Sequence, residues 1–164
     1  MSRGLRHGRR NSGFTLVELL VCLAILGLLA SVALPMSEMT VQREKERELK
    51  RNLWEIRDAL DAYHRACEDR AIIVSPDQSS YPKNLVDLTR AIPDARADRQ
   101  GQTLRFLRSI PRDPFADPDV PADQSWALRS FQSEADKPQA GADVYDVHSK
   151  SRATGLNGIP LNRW

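Results

Sequence analysis

The stretch from Gly13 to Pro35, GFTLVELLVCLAILGLLASVALP, constrains this chain more than any other. Between Phe14 and Leu34 there is no Lys, Arg, Asp, His or Pro, and Glu18 is the one charged residue. Wound as a helix, these residues reach about 31 Å, the hydrocarbon thickness of a bilayer. Thirteen of them are Leu, Val, Ile or Phe. At about −0.3 to −0.6 kcal/mol apiece they favour insertion by several kcal/mol, more than the roughly 2.5–3.5 kcal/mol that an acid at the helix centre costs. Glu18 lies near the start of the span, where that cost is lower. Residues 14–34 are therefore expected to cross a membrane. A carboxylate kept in such a place is expected to have a function and a partner of opposite charge.

The thirteen residues upstream, MSRGLRHGRRNSG, carry Arg3, Arg6, Arg9 and Arg10 and no acid. The positive-inside rule leaves this end in the cytoplasm and sends the rest of the chain across. A basic leader, Gly13, then Phe14-Thr-Leu-Val-Glu18 and an unbroken apolar run closed by Pro35 resembles the signal of type IV pilins and type II secretion pseudopilins. The resemblance implies that a prepilin peptidase cuts between Gly13 and Phe14 and that the new Phe14 amine is methylated. It makes Glu18 the fifth mature residue, and it places Gly27 and Pro35 where the family loosens its helix. The residue types suit those roles. Gly13 offers a protease an uncrowded backbone. A free Phe14 amine would sit at the positive end of a helix dipole and need an acid. Glu18, one turn on, can serve its own chain or the Phe14 amine of a neighbouring subunit. In a helix bundle the second pairing would set axial register, because removing one partner strands the other charge.

Two other targeting signals compete. One is a general secretory signal with Ser31-Val32-Ala33 as its cleavage site, and the other a twin-arginine signal built on Arg9-Arg10. A Glu inside the apolar run and a span of full bilayer length argue against both.

Net charge is +2, but the leader alone holds four arginines, so the remainder is slightly acidic at −2. No basic patch with interleaved aromatics follows the leader, so nucleic acid is not an expected partner. The two cysteines, Cys22 in the span and Cys67 far along, cannot meet if one helix joins them. Cys67 reads as a packed free thiol.

After Pro35 the chain turns charged and helical to about Asp69. Leu49, Leu53, Ile56, Leu60 and Tyr63, spaced 4, 3, 4 and 3, mark a core-facing stripe, with Trp54 and Ala59 expected to widen it. Residues 42–50 are charged nearly all round. With the apolar span this makes one helix of about 55 residues, roughly 80 Å long, which Pro35 should bend or loosen. Pro76, Asp77, Ser79 and Ser80 mark a loop, residues 81–88 a turn into a short helix, and 94–102 an exposed polar stretch. The acids Asp113, Asp117, Asp119 and Asp123, set among prolines, read as turn formers. Residues 125–131 and 143–149 read as two strands of a small antiparallel sheet packed on the helix stripe. Trp126 and Phe131 are the expected sheet-side core residues, with Tyr145 and Val147 as alternatives. The tail, SKSRATGLNGIPLNRW, reads as an ordered loop anchored by Ile159 and Trp164.

Within the family, an early Tyr81-Pro82, a later Ile110-Pro-Arg-Asp-Pro-Phe115 and a Gly-rich tail ending in Trp resemble the major pseudopilin of type II secretion. That implies a calcium ion in the tail loop. Calcium takes six to eight oxygens, normally including carboxylates, and residues 149–164 contain no Asp or Glu. The metal site therefore does not carry over residue by residue. Either it is lost, or neutral oxygens with Asp143 or Asp146 substitute weakly, and no cofactor is expected. The three histidines, His7, His64 and His148, have no metal-ligand spacing, and Asp146 with His148 lacks a nearby nucleophile signature, so no catalytic residue is expected.

The expected fold is α+β and pilin-like. It comprises a cleaved leader 1–13, a transmembrane helix 14–34, an exterior helical continuation 35–69 and a periplasmic head 70–164. The resemblance implies a structural subunit that polymerises into a short periplasmic fibre at the bacterial inner membrane and helps export folded proteins. Expected partners are like subunits, other pseudopilins, the prepilin peptidase and methyltransferase, and an inner-membrane platform with its ATPase. A minor pseudopilin or type IV pilin is the alternative, although the paired C-terminal cysteines of many pilins are absent. From another class, a secreted enzyme or binding module behind a signal peptide remains.

Overall fold

The computed structural model describes residues 15–75, 78–99 and 101–164, and of residues 32–37 the backbone alone. Gly13, Phe14, Pro76 and Asp77 lie outside the described residues, as does the side chain of Pro35. The chain divides into two compact units, Met1–Val41 and Gln42–Trp164, each considered by itself. One helix, α1 (Leu16–Glu68, 53 residues), contributes to both.

In the first unit α1 starts with a cap that the sequence spells as Thr-x-x-Glu. Thr15 Oγ1 accepts the backbone N–H of Glu18 at 3.1 Å, and the Thr15 carbonyl accepts that of Leu19 at 3.1 Å. From Leu16 to Ser31 every residue is exposed. Leu, Val and Ile thus cover all sides of this part of the helix and lie exposed. Among the described residues no helix is long and apolar enough to cross a membrane. Phe14 and the side chains of 32–34, which complete the expected span, are outside that description.

In the second unit the stripe predicts the core. Leu49, Leu53, Ile56, Ala59, Leu60 and Tyr63 are buried, together with Cys67. Trp54 is 74% exposed instead of widening the stripe. At about 100° per residue it points some 140° from the stripe's centre, away from the core. Glu46, in the segment expected to be charged all round, is buried at the stripe's edge. The helix closes with Arg70 in the left-handed region (φ 56°), the Ala71 N–H on the Ala66 carbonyl (2.8 Å) and the Arg70 N–H on that of Cys67 (3.0 Å). This is the double bond pattern that satisfies a helix's last carbonyls, with an arginine in a seat that favours glycine.

A 3₁₀ turn, Leu85–Thr89, supplies buried Leu85 and Leu88 and is capped by Asn84, whose side chain accepts the Asp87 N–H. β1 (Ile92–Pro93) and β2 (Thr103–Leu104) then pair antiparallel. Two-residue strands, one holding a proline, carry no alternation to read. Between them Asp94 is buried, not exposed as expected, because Arg96 folds back on it (Nη2–Oδ2 2.6 Å). β3 (Trp126–Arg129) and β4 (Asp146–Ser149) form the second antiparallel pair, in the register Trp126 to Ser149, Leu128 to Val147 and Arg129 to Asp146. Trp126, Val147 and Ser149 are buried. Phe131 is 59% exposed, which corrects its expected core role. It shares parity with Ala127 and Arg129 and not with Trp126, so one strand cannot turn both inward. Phe131 instead packs at the surface on two half-buried tyrosines, with ring centroids 5.7 Å from Tyr81 and 5.5 Å from Tyr145. These layers make the α+β, pilin-like fold.

Candidate assembly segment and C-terminal loop

Two regions carry the residues singled out above. The first is the start of α1. Glu18 occupies the first helical turn, where the unpaired N–H groups and the dipole favour a carboxylate, and its side chain is exposed. The cap by Thr15 presents this acid at the helix's positive end. The sequence signal of this cap is the Thr15-x-x-Glu18 spacing just before the apolar run. Gly27 has open space where a Cβ would stand. Cys22 is a free, exposed thiol and Cys67 a buried one, pushed up in pKa by burial.

The second region is the loop that follows β4. It is pinned at its start by Asp113, which was expected to be a turn former. Asp113 does turn the chain, its Oδ1 accepting the Phe115 N–H at 2.8 Å, but it is also 1% exposed. Its Oδ2 accepts the Ser149 hydroxyl at 2.6 Å, and its own N–H donates to Ser125 Oγ at 3.1 Å. The Asp113 carboxylate thus ties the Pro-Arg-Asp-Pro segment to the end of β4.

Further along, the Leu161 N–H donates to the Ala153 carbonyl (2.9 Å), and a bridge joins Thr154 to Pro160. Leu161 is fully buried and Ile159 47% exposed, so Leu161 and not Ile159 anchors the loop. A 3₁₀ turn, Leu161–Arg163, sets Leu161 inward. Trp164 packs against the core as expected. From α1, Glu46 Oε1 accepts the Leu156 N–H at 2.8 Å, and Arg57 reaches Asp146 Oδ1 (Nε, 2.8 Å) and the carbonyls of Val147 (3.1 Å) and Trp164 (2.9 Å). The two weak calcium candidates therefore have other partners. Asp146 meets Arg57, while buried Asp143 accepts the Ser130 hydroxyl (2.7 Å) and the Phe131 N–H (3.0 Å). Burial raises the Asp143 pKa, but hydrogen bonds from Ser79, Ser130 and Phe131 outweigh it and hold it below the usual carboxylate value.

Asp146 and His148 share a strand face, as their spacing requires. Burial lowers the His148 pKa below its ordinary value, against the nearby Asp146 carboxylate, which raises it. His64 stacks on Tyr81 with centroids 4.5 Å apart.

The family described as the prokaryotic N-terminal methylation motif matches residues 8–34. The type II secretion system core protein G of Aeromonas hydrophila is 29% identical over 116 residues, 67% of this chain and 71% of that protein. That of Klebsiella pneumoniae is 30% identical over 113 residues, 65% of this chain and 71% of the relative. That of Pseudomonas aeruginosa is 27% identical over 160 residues and covers 95% and 96% of the two chains. No solved structure matches significantly. The methylation motif at one end and similarity running through the head make this chain a member of the type II secretion system core protein G family, the major pseudopilins.

Proposed function

We propose that this major pseudopilin is cut between Gly13 and Phe14 by the prepilin peptidase, methylated on the Phe14 amine, and polymerised through Glu18. Residues 14–34 anchor it as a single pass in the inner membrane, 35–69 continue the helix outside, and 70–164 form the periplasmic head. Gly27 and Pro35 let the helix adjust as subunits leave the bilayer. Growth of the fibre, driven by the membrane platform and its cytoplasmic ATPase, moves folded proteins outward. The role is structural and not catalytic.

The observation that carries this reading is Glu18, an exposed acid in the first turn of a helix whose apolar residues from Leu16 to Leu29 are exposed on all sides. Apolar surface of that extent is a surface awaiting lipid or other subunits. The Thr15 cap leaves Glu18 one turn from the Phe14 position, inside the range where dipole and charge act together. The mass of the mature N-terminus tests the processing: methylated Phe14 is expected, and a start at Leu34 or an intact Met1 refutes it. Co-expression tests the pairing. Glu18→Ala and Glu18→Gln subunits are expected to enter wild-type fibres poorly, and incorporation at native levels would show that Glu18 does not set register.

A further inference from the structure

We propose that Arg57 closes the C-terminal loop of this chain, gathering oxygens as a bound cation would, and that the head folds without calcium. A calcium ion in such a loop draws oxygens from distant residues to one positive centre. The donor set for it is missing here. Residues 149–164 hold no carboxylate. Asp146 and Asp143, the two acids just before the loop, already accept from Arg57 and from the Ser130 hydroxyl and Phe131 N–H, respectively. Among the described residues no three His, Cys, Asp or Glu side chains are grouped so that they could hold a metal ion.

The oxygens are gathered all the same. Arg57 Nε donates to Asp146 Oδ1 at 2.8 Å, and its Nη2 donates to the Val147 carbonyl at 3.1 Å and the Trp164 carbonyl at 2.9 Å. One guanidinium thus joins the start of β4 to the far end of the loop. A guanidinium suits the task because it is permanently charged and presents its N–H donors in a fixed fork. It also needs no dehydration of a metal, and it comes with the chain. The loop's midpoint is held from the same helix by a charge of opposite sign. Glu46, buried three turns before Arg57, accepts the Leu156 N–H at 2.8 Å and the Gln42 side-chain amide at 3.1 Å. Lys50, between them, sits 4.6 Å over the Trp164 ring. One face of α1 therefore holds the loop at its middle and at its end. The clamp lies within one chain and is independent of whether the subunit polymerises.

The test uses the full chain in detergent micelles, melted while tryptophan fluorescence is followed. A ligand that binds only the folded state raises the melting temperature. About 5 mM calcium would saturate a site in the roughly 0.1–1 mM range of extracellular modules. The expected result is the same melting temperature, within about 1 °C, in calcium and in excess EGTA, since no site exists to be filled. Arg57→Gln is expected to melt roughly 3–12 °C lower, the loss of hydrogen bonds to a charged group in a chain of this size, and to let trypsin cut at Arg152 faster. Calcium should restore neither property. Should Arg57→Gln fail to fold, Arg57→Lys keeps the charge without the fork and is expected to melt below wild type, again regardless of calcium. A calcium-dependent rise of several degrees in the wild type would overturn the proposal, as would calcium rescue of the variant or a variant as stable as wild type. Loss of fibre assembly with these melts unchanged would bear on Glu18 and not on Arg57.

Discussion

Replacing Asp113 gives the sharpest quantitative test of how the head is held together. Its carboxylate is 1% exposed and accepts two hydrogen bonds, from the Ser149 hydroxyl at 2.6 Å and the Phe115 N–H at 2.8 Å. Asp113→Ala removes both acceptors and leaves the buried Ser149 hydroxyl and the part-buried Phe115 N–H without this partner, each at about 1–3 kcal/mol. The expected cost is roughly 4 kcal/mol, a large part of the 5–15 kcal/mol that stabilises a typical domain. At about 2–4 °C per kcal/mol for a chain of this length, melting falls by about 8–16 °C. Asp113→Asn keeps the shape. Its carbonyl can still accept from Phe115, and its amide can donate to the Ser149 oxygen. Only charge assistance is lost, and the expected cost is about 1 kcal/mol. The assay is thermal melting of the full chain in detergent, read through Trp126. That ring is 2% exposed, and its Nε1–H donates to the Pro111 carbonyl at 2.8 Å, two residues from Asp113. A double-mutant cycle with Ser149→Ala should return a coupling of at least about 0.5 kcal/mol. The reasoning is refuted if Asn costs as much as Ala, if Ala costs under about 1 kcal/mol, or if the cycle is additive.

Leu60→Ala should destabilise by about 2–5 kcal/mol, because the side chain is fully buried. Trp54→Ala should stay within about 0.5 kcal/mol, since a 74% exposed ring packs on little. Equal losses in melting temperature would contradict the assigned helix face. Stability should also fall on acidification in two stages. Burial lowers the His148 pKa below its ordinary 6.5, so the unfolded chain binds the proton first and stability drops as pH falls from about 6.5 through the lower folded value. The hydrogen bond from Arg96 lowers Asp94, and those from Ser79, Ser130 and Phe131 lower Asp143 against the effect of burial. Their contribution is present above about 3.8 and is lost as pH falls through their depressed folded values. Melting temperatures across pH 3–8 check this, and His148→Gln should abolish the first stage alone. A rise in stability from pH 7 to pH 5 would contradict it.

The sequence by itself determined the parts whose signals are periodic or local. The apolar run, the 4-3-4-3 stripe from Leu49 to Tyr63 and the short helical turn after Tyr81-Pro82 all depend on neighbours within a few positions, and the two strands read at 125–131 and 143–149, which form over the shorter 126–129 and 146–149, need only alternation. The Phe-Thr-Leu-Val-Glu segment belongs with these, and its Thr15 cap was equally legible. Tertiary structure decided which polar groups hold the head closed. Ser149 lies 36 positions from Asp113, Asp146 lies 89 from Arg57 and Trp164 lies 107 from it. No periodicity links residues so far apart, and an Asp beside prolines looks like a turn former until a distant hydroxyl is found on its second oxygen. The outward placing of Trp54, Phe131 and Ile159 has the same origin. Hydrophobicity says that a side chain gains by burial, but only the assembled helix and strands decide which side is inside.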